Sequence, residues 1–164
     1  MDFDIRSDDD VTLCKVVMNR THNGPMIKGR SQGNATVSDI LFEDITLIDV
    51  YLGLTIDCDY ETPGSVEPNI GVLAVNVTFK NITGTVTPKA TSSASSPVGG
   101  DPSFLTDAAG TFICLSKRMC EFEVNDVHIT HADPTTSEPP VWLCNNTENV
   151  VHDVTPTWSH TCRP

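Results

Sequence analysis

The chain has 164 residues, with 22 Asp and Glu against 10 Lys and Arg, for a net charge of −12. That balance argues against nucleic acid as a partner, because phosphate neutralisation needs clustered cations. No apolar run is long enough to cross a bilayer as a helix, and a chain of this length forms one domain, burying roughly two-thirds of its unfolded surface.

In chain order, Met1-Asp2-Phe3-Asp4 lacks the basic and apolar regions of a signal peptide. Asp8-Asp9-Asp10 reads as a solvated turn that leads into the first apolar run, Leu13-Cys14-Lys15-Val16-Val17-Met18. Asn23-Gly24 is compatible with a corner, and Met26-Ile27-Lys28 follows as a short β-type run. Next come Val37-Ser38-Asp39-Ile40-Leu41-Phe42, Ile45-Thr46-Leu47 and Leu54-Thr55-Ile56-Asp57, then the loop "DYETPGSVEPN". Ala74-Val75-Asn76-Val77-Thr78-Phe79 and Ile82-Thr83-Gly84 precede a Pro, Ser and Gly-rich insertion over 87–110, expected to be a dispensable surface loop. Phe112-Ile113-Cys114-Leu115, Val124-Asn125-Asp126-Val127-His128-Ile129 and Val141-Trp142-Leu143 complete the series, the last inside a C-terminal cap or tail over 132–164.

Branched and aromatic residues dominate these runs, and none shows a capped 3.6-residue period, so the chain is expected to be nearly all β. The runs centred on Asp39, Asn76 and Asp126, with a degenerate first copy around Lys15, share one pattern: an apolar residue, Asp or Asn two later, then an alternating apolar pair. Taken as equivalent, the copies are offset by 24, 37 and 50 residues. The spacing predicts a partial parallel β-helix of about four coils, with the insertions explaining the longer offsets. Residues 1–164 are then a single domain.

Sequons at Asn19, Asn34, Asn76, Asn81 and Asn145 and an even number of cysteines, six, predict a secreted, disulfide-bonded glycoprotein. Asn76 and Asn81 are the doubtful sequons, since both fall on or beside a strand. With no signal peptide at its start, a chain of this kind is expected to be part of a longer one.

The stretches "NGPMIKG", "GNATVSDILFEDITLIDVYLGLTIDCDYETPG", "GVLAVNVTFKNITGTV" and "GTFICLSKRMCEFEVNDVHIT" resemble the C-terminal half of polygalacturonase-type pectin hydrolases, glycoside hydrolase family twenty-eight, from about residue 11 to the end. The resemblance implies a right-handed parallel β-helix and inverting hydrolysis of α-1,4-galacturonan, with no cofactor and no metal, by a secreted monomer of the cell-wall-degrading type. It implies an Arg-Ile-Lys motif in the cleft, which here reads Met26-Ile27-Lys28, and a substrate tyrosine matching Tyr60. It also implies disulfides Cys114–Cys120 and Cys144–Cys162, contributing about 2 and about 3 kcal/mol in a chain-entropy picture. Cys14 and Cys58 are left over, either paired with each other or with Cys14 lacking a partner upstream.

The family's Asn-x-Asp, Asp-Asp and His-Gly motifs find no match, and no His-Gly dipeptide occurs in the chain. His22, His128, His131, His152 and His160 read as surface or loop histidines. Without the catalytic carboxylates no catalytic residue is assigned, and the chain alone is expected to be inactive. Lys28 and Tyr60 are the expected substrate-binding residues. Residues 11–38 carry Lys15, Arg20, Lys28 and Arg30 and no Asp or Glu, so a polyanionic sugar chain would be drawn there. The same charges would also serve simply to keep a solenoid face soluble, with Lys28 in an ion pair across coils to Asp57. The alternative function is a non-catalytic secreted glycoprotein that uses the β-helix to bind polysaccharide or protein.

Overall fold

In the computed structural model, residues 10–30, 34–60, 71–87, 108–114, 119–158 and 162 are described, with the backbone alone at 59 and 60. Among the described residues nine strands form: β1 (Val11–Asn19), β2 (Met26–Arg30), β3 (Asn34–Val50), β4 (Leu54–Tyr60), β5 (Gly71–Val86), β6 (Gly110–Ile113), β7 (Cys120–His131), β8 (Trp142–Asn145) and β9 (Thr147–Thr155). Odd-numbered strands make a five-stranded sheet in the order β1-β3-β5-β7-β9, and even-numbered ones a four-stranded sheet in the order β2-β4-β6-β8. Every pairing between them is parallel. The chain therefore alternates between two sheets and advances one rung at each return, which is a partial parallel β-helix. Backbone polar groups are satisfied between coils rather than within them, so each coil is held by its neighbours.

The register corrects the offsets read from the repeat. Val16 pairs with Ile45, Ile40 with Val77, Ile82 with Val127 and Val127 with Val154, giving coils of 29, 37, 45 and 27 residues. Leu13 stands beside Phe42 rather than Val37, and Val124 beside Phe79 rather than Ala74. The offsets of 24 and 50 each miss by five, because β3 and β5 hold the pattern twice, around Asp39 and Asp44 and around Asn76 and Asn81. Each of those four residues is a bend with φ between 49° and 58°. The left-handed region is best tolerated by Asp and Asn, which is why these residue types recur every five positions. One column of such bends runs through all five strands, Lys15, Asp44, Asn81, Asp126 and Asp153, each with positive φ.

Alternation places Ile40, Phe42, Ile45, Leu47, Val77, Phe79, Ile82, Phe122, Val124 and Val127 inside, against Ile56 and Phe112 of the facing sheet. Aromatic rings stack between coils, Phe42 on Phe79 at 5.1 Å and Phe112 on Phe122 at 4.3 Å. Such pairs add about 0.5–1.5 kcal/mol beyond their area burial. Asn23 and Gly24 form the expected corner, with Gly24 N–H donating to Leu52 O at 2.8 Å. Gly84, at φ 145°, lets β5 pass close to Leu47 of β3.

Of the expected 87–110 loop, residues 88–107 lie outside the described residues, while Ala108, Ala109 and Gly110 are buried and lead into β6. The segment 132–164 contributes β8 and β9, which continue both sheets. Trp142 Nε1 donates to Pro156 O at 2.8 Å, and Trp158 Nε1 donates to Cys162 O at 3.0 Å, closing this end of the core.

Candidate functional site

The four-stranded sheet carries Lys28, which the sequence singles out, on its outer face, and the backbone of Tyr60 at its edge. Ile27, Ile56 and Phe112 occupy one rung line and point inward, all buried. Their neighbours Met26, Thr55 and Thr111 form a second line, and Lys28, Asp57 and Ile113 a third, on the opposite face by alternation. Lys28 is exposed and Met26 half-buried, whereas Asp57 is only 1% exposed. Lys28 and Asp57 are register partners on adjacent coils, an exposed cation one rung from an enclosed carboxyl. Thr55 and Thr111 are buried too, and among the described residues their hydroxyls have no hydrogen-bond partner. An enclosed polar strip thus ends at a solvent-facing lysine.

Gly29 shapes that end. A Cβ there would lie 2.5 Å from the Val72 Cβ, so only glycine lets β2 pack this closely on β5. The register shifts between Lys28 and Arg30, leaving Arg30 beside Tyr60 at the close of β4. Arg30 is exposed, so two cations flank this edge of the sheet, beside the backbone position of Tyr60.

Not all of the basic stretch converges. Lys15 and Arg20 lie on β1 and its exit, in the other sheet's coil line, and Arg20 Nε is 3.8 Å from Asp49 Oδ2. Residues adjacent in sequence are divided between sheets, so the surplus of four cations reduces to Lys28 and Arg30 on the candidate face. Of Asp8-Asp9-Asp10, only Asp10 falls within the described residues, exposed just before β1.

His128, read from sequence as a surface histidine, bridges coils. Its Nε2 lies 3.1 Å from Asp126 Oδ1 and 3.9 Å from Asp153 Oδ1, and its Nδ1 lies 3.2 Å from Thr155 Oγ1. The recurrence of Asp at the bend was the available signal, since stacked bends bring Asp126 and Asp153 side by side. His22 Nδ1 lies 2.8 Å from Asn23 Oδ1 at the first corner, and its ring meets Tyr51 edge-on.

The structure joins Cys114 to Cys120 and Cys144 to Cys162. Cys14 is exposed on β1 and Cys58 is buried in the core, and neither enters a disulfide, so the two are not paired with each other. The sequon residues Asn19, Asn34, Asn76, Asn81 and Asn145 are all exposed. Asn76 and Asn81 sit at bends, with their Nδ2 groups donating to Asp39 and Asp44.

Comparison with known proteins adds the following. Residues 4–97 match the family model described as glycosyl hydrolases family 28. The chain is 37% identical over 85 residues to a protein named probable endopolygalacturonase A from Aspergillus parasiticus, covering 51% of this chain and 23% of that one. It is 37% identical over 79 residues to endopolygalacturonase B from Aspergillus niger and to a polygalacturonase from Cochliobolus carbonum, covering 47% of this chain and 22% of each relative. The aligned stretches thus amount to under a quarter of the length of these curated relatives. No solved structure matches the chain.

Proposed function

Because this chain belongs to the glycosyl hydrolases of family 28, we propose that it is a secreted polygalacturonase-like protein that holds an acidic galacturonan on the outer face of β2 and β4. The observation that carries this reading is the exposed Lys28 at the third position of the Met26-Ile27-Lys28 motif, with Arg30 and Tyr60 at the same sheet edge. Galacturonate carboxylates would pair with the two cations, and the Tyr60 ring would take the apolar face of a sugar. Asp57, enclosed beside Lys28, would restrain the ammonium rather than attack the sugar.

Inverting glycoside hydrolysis requires two carboxyl groups roughly 6.5–9.5 Å apart, one to protonate the leaving oxygen and one to activate water. No residue of this chain is assigned to that pair, so the activity proposed for the chain itself is binding without cleavage. Met26 favours the second reading, a non-catalytic binder, since a thioether supplies no bidentate grip on a carboxylate.

Calorimetric titration with a galacturonate oligomer tests the proposal. Weak binding that fades as salt rises is expected, because exposed charge attraction is screened within about 8 Å at physiological ionic strength. Lys28→Ala should abolish it and Lys15→Ala, on the other sheet, should preserve it. Absence of binding by the parent chain would refute the reading, and release of reducing sugar would refute the binding-only form of it.

A further inference from the structure

Cys58 belongs to the inward set Leu54, Ile56 and Cys58 of β4. Asp57 pairs with Ile113, so the next inward positions along the two chains are Cys58 and Cys114 on adjacent coils. Cys120 opens β7 and is bonded to Cys114. Cys58 Sγ lies 3.8 Å from Cys120 Sγ, and the three sulfurs are all within 4.8 Å of one another. All three residues are buried, none more than 1% exposed. A thiol is thus enclosed against a disulfide where no external thiol has access.

We propose that Cys58 is an internal exchange partner for the Cys114–Cys120 disulfide, so that Cys120 has two alternative partners within one fold. In the step, the Cys58 thiolate attacks Cys120 Sγ and a Cys58–Cys120 bond forms. The Cys114–Cys120 bond breaks with its electron pair passing to Cys114 Sγ, and the proton given up by Cys58 ends on Cys114. One disulfide is made and one is lost, so neither oxidant nor reductant is consumed. The approach from 3.8 Å to a bonded distance of ~2.0 Å is a movement of about 1.8 Å, together with swinging onto the axis of the bond under attack, which falls to side-chain torsions at the three cysteines.

The exchange changes what the bond restrains. In the Cys114–Cys120 form it closes a local loop of sequence separation 6. In the Cys58–Cys120 form it links residues 62 apart, tying β4, two residues before Tyr60, to the start of β7. The strand bearing a candidate substrate residue is then covalently fixed to a later coil, and Cys114 is released. The position of one disulfide becomes a conformational switch behind the outer face, and it operates whether or not that face binds galacturonan.

The test is disulfide mapping of the folded full chain carrying Cys14→Ser, so that the exposed thiol of Cys14 does not scramble bonds. After incubation under native conditions the protein is quenched in acid, alkylated and digested without reduction. Two isomers are expected: Cys114–Cys120 with alkylated Cys58, and Cys58–Cys120 with alkylated Cys114. Adding Cys58→Ser should leave the first alone. In a Cys114→Ala chain that is unfolded, reduced and refolded with oxidised glutathione, so that the reagent reaches the thiols before the core closes, a Cys58–Cys120 bond should form. If Cys114 is never alkylated in the parent, or if Cys58 and Cys120 stay as separate thiols in the Cys114→Ala chain, the proposal is overturned.

Discussion

Asn81 Nδ2 donates to Asp44 Oδ1 at 2.6 Å, and the two residues occupy the same left-handed bend on successive coils. Asn76 makes the equivalent bond to Asp39, and this amide holds the Asp39 carboxyl below its ordinary value. A depressed carboxyl stabilises the fold above its unfolded pKa of 3.8, and the contribution is lost as pH falls through the lower folded value. Asn76→Asp keeps the bend geometry and sets one carboxylate against another. The melting temperature should fall at pH 7, and the deficit should narrow at about pH 3 as the pair protonates. Thermal melts at the two pH values decide the matter, and an equal deficit at both would show that the loss is steric.

Among the described glycines, Gly84 has the least room for a side chain. Its φ is 145°, and a Cβ would lie 1.9 Å from the backbone oxygen of Leu47. Gly84→Ala should cost upwards of about 3 kcal/mol, combining backbone strain with displacement of β5 from β3. Urea unfolding should show a lower midpoint with an unchanged slope; a midpoint equal to that of the parent would mean the two strands separate freely there.

The Cys144–Cys162 bond anchors the chain end against the core. Cys162 O accepts from both Asn149 Nδ2, at 2.9 Å, and Trp158 Nε1, and the Trp158 ring lies 4.8 Å from Trp142. Cys144→Ser should lower stability by about 3 kcal/mol on the chain-entropy estimate. Trp158 should come loose with it, shifting tryptophan emission to the red in the still-folded protein. Unshifted emission would show that ring packing alone retains the end of the chain.

On the outer face, Met26→Arg sets a guanidinium one residue before Ile27 and beside Thr55. Titration with a galacturonate oligomer should show affinity tighter by about 1–3 kcal/mol, the range of a hydrogen bond to a charged group. Lys28→Ala added to Met26→Arg should return part of that gain. Unchanged affinity on Met26→Arg would place the carboxylate elsewhere on the sheet.

What could be read from the residues depended on whether the feature was local to a strand. The Ile27–Ile56 rung and the inward alternation of β4 and β5 follow from side chains two apart, and the structure places them as the pattern does. Register was legible between β3 and β5, where Phe42 and Phe79 mark equal positions, but not for β1 or β7, where a motif repeated every five residues fits equally well at two settings. The cationic stretch misled for a different reason: the corner at Asn23 and Gly24 sends Lys15 and Lys28 to different sheets. Burial of Asp57 was hidden as well, because alternation tells which face a residue takes and not whether that face is covered.

The bend column gives the molecule a fixed gauge. Coils as different as 27 and 45 residues bring Asp153 and Asn81 onto the same line with Asp126, so contour length is decoupled from cross-section. Added residues fall in the connections, 61–70 and 87–109, while the strands keep the spacing of about 4.8 Å set by the ladders. A chain molecule lying along the outside would meet the same ruler marks whatever the connections contain. Residues can therefore be added between strands without altering the step from one rung to the next.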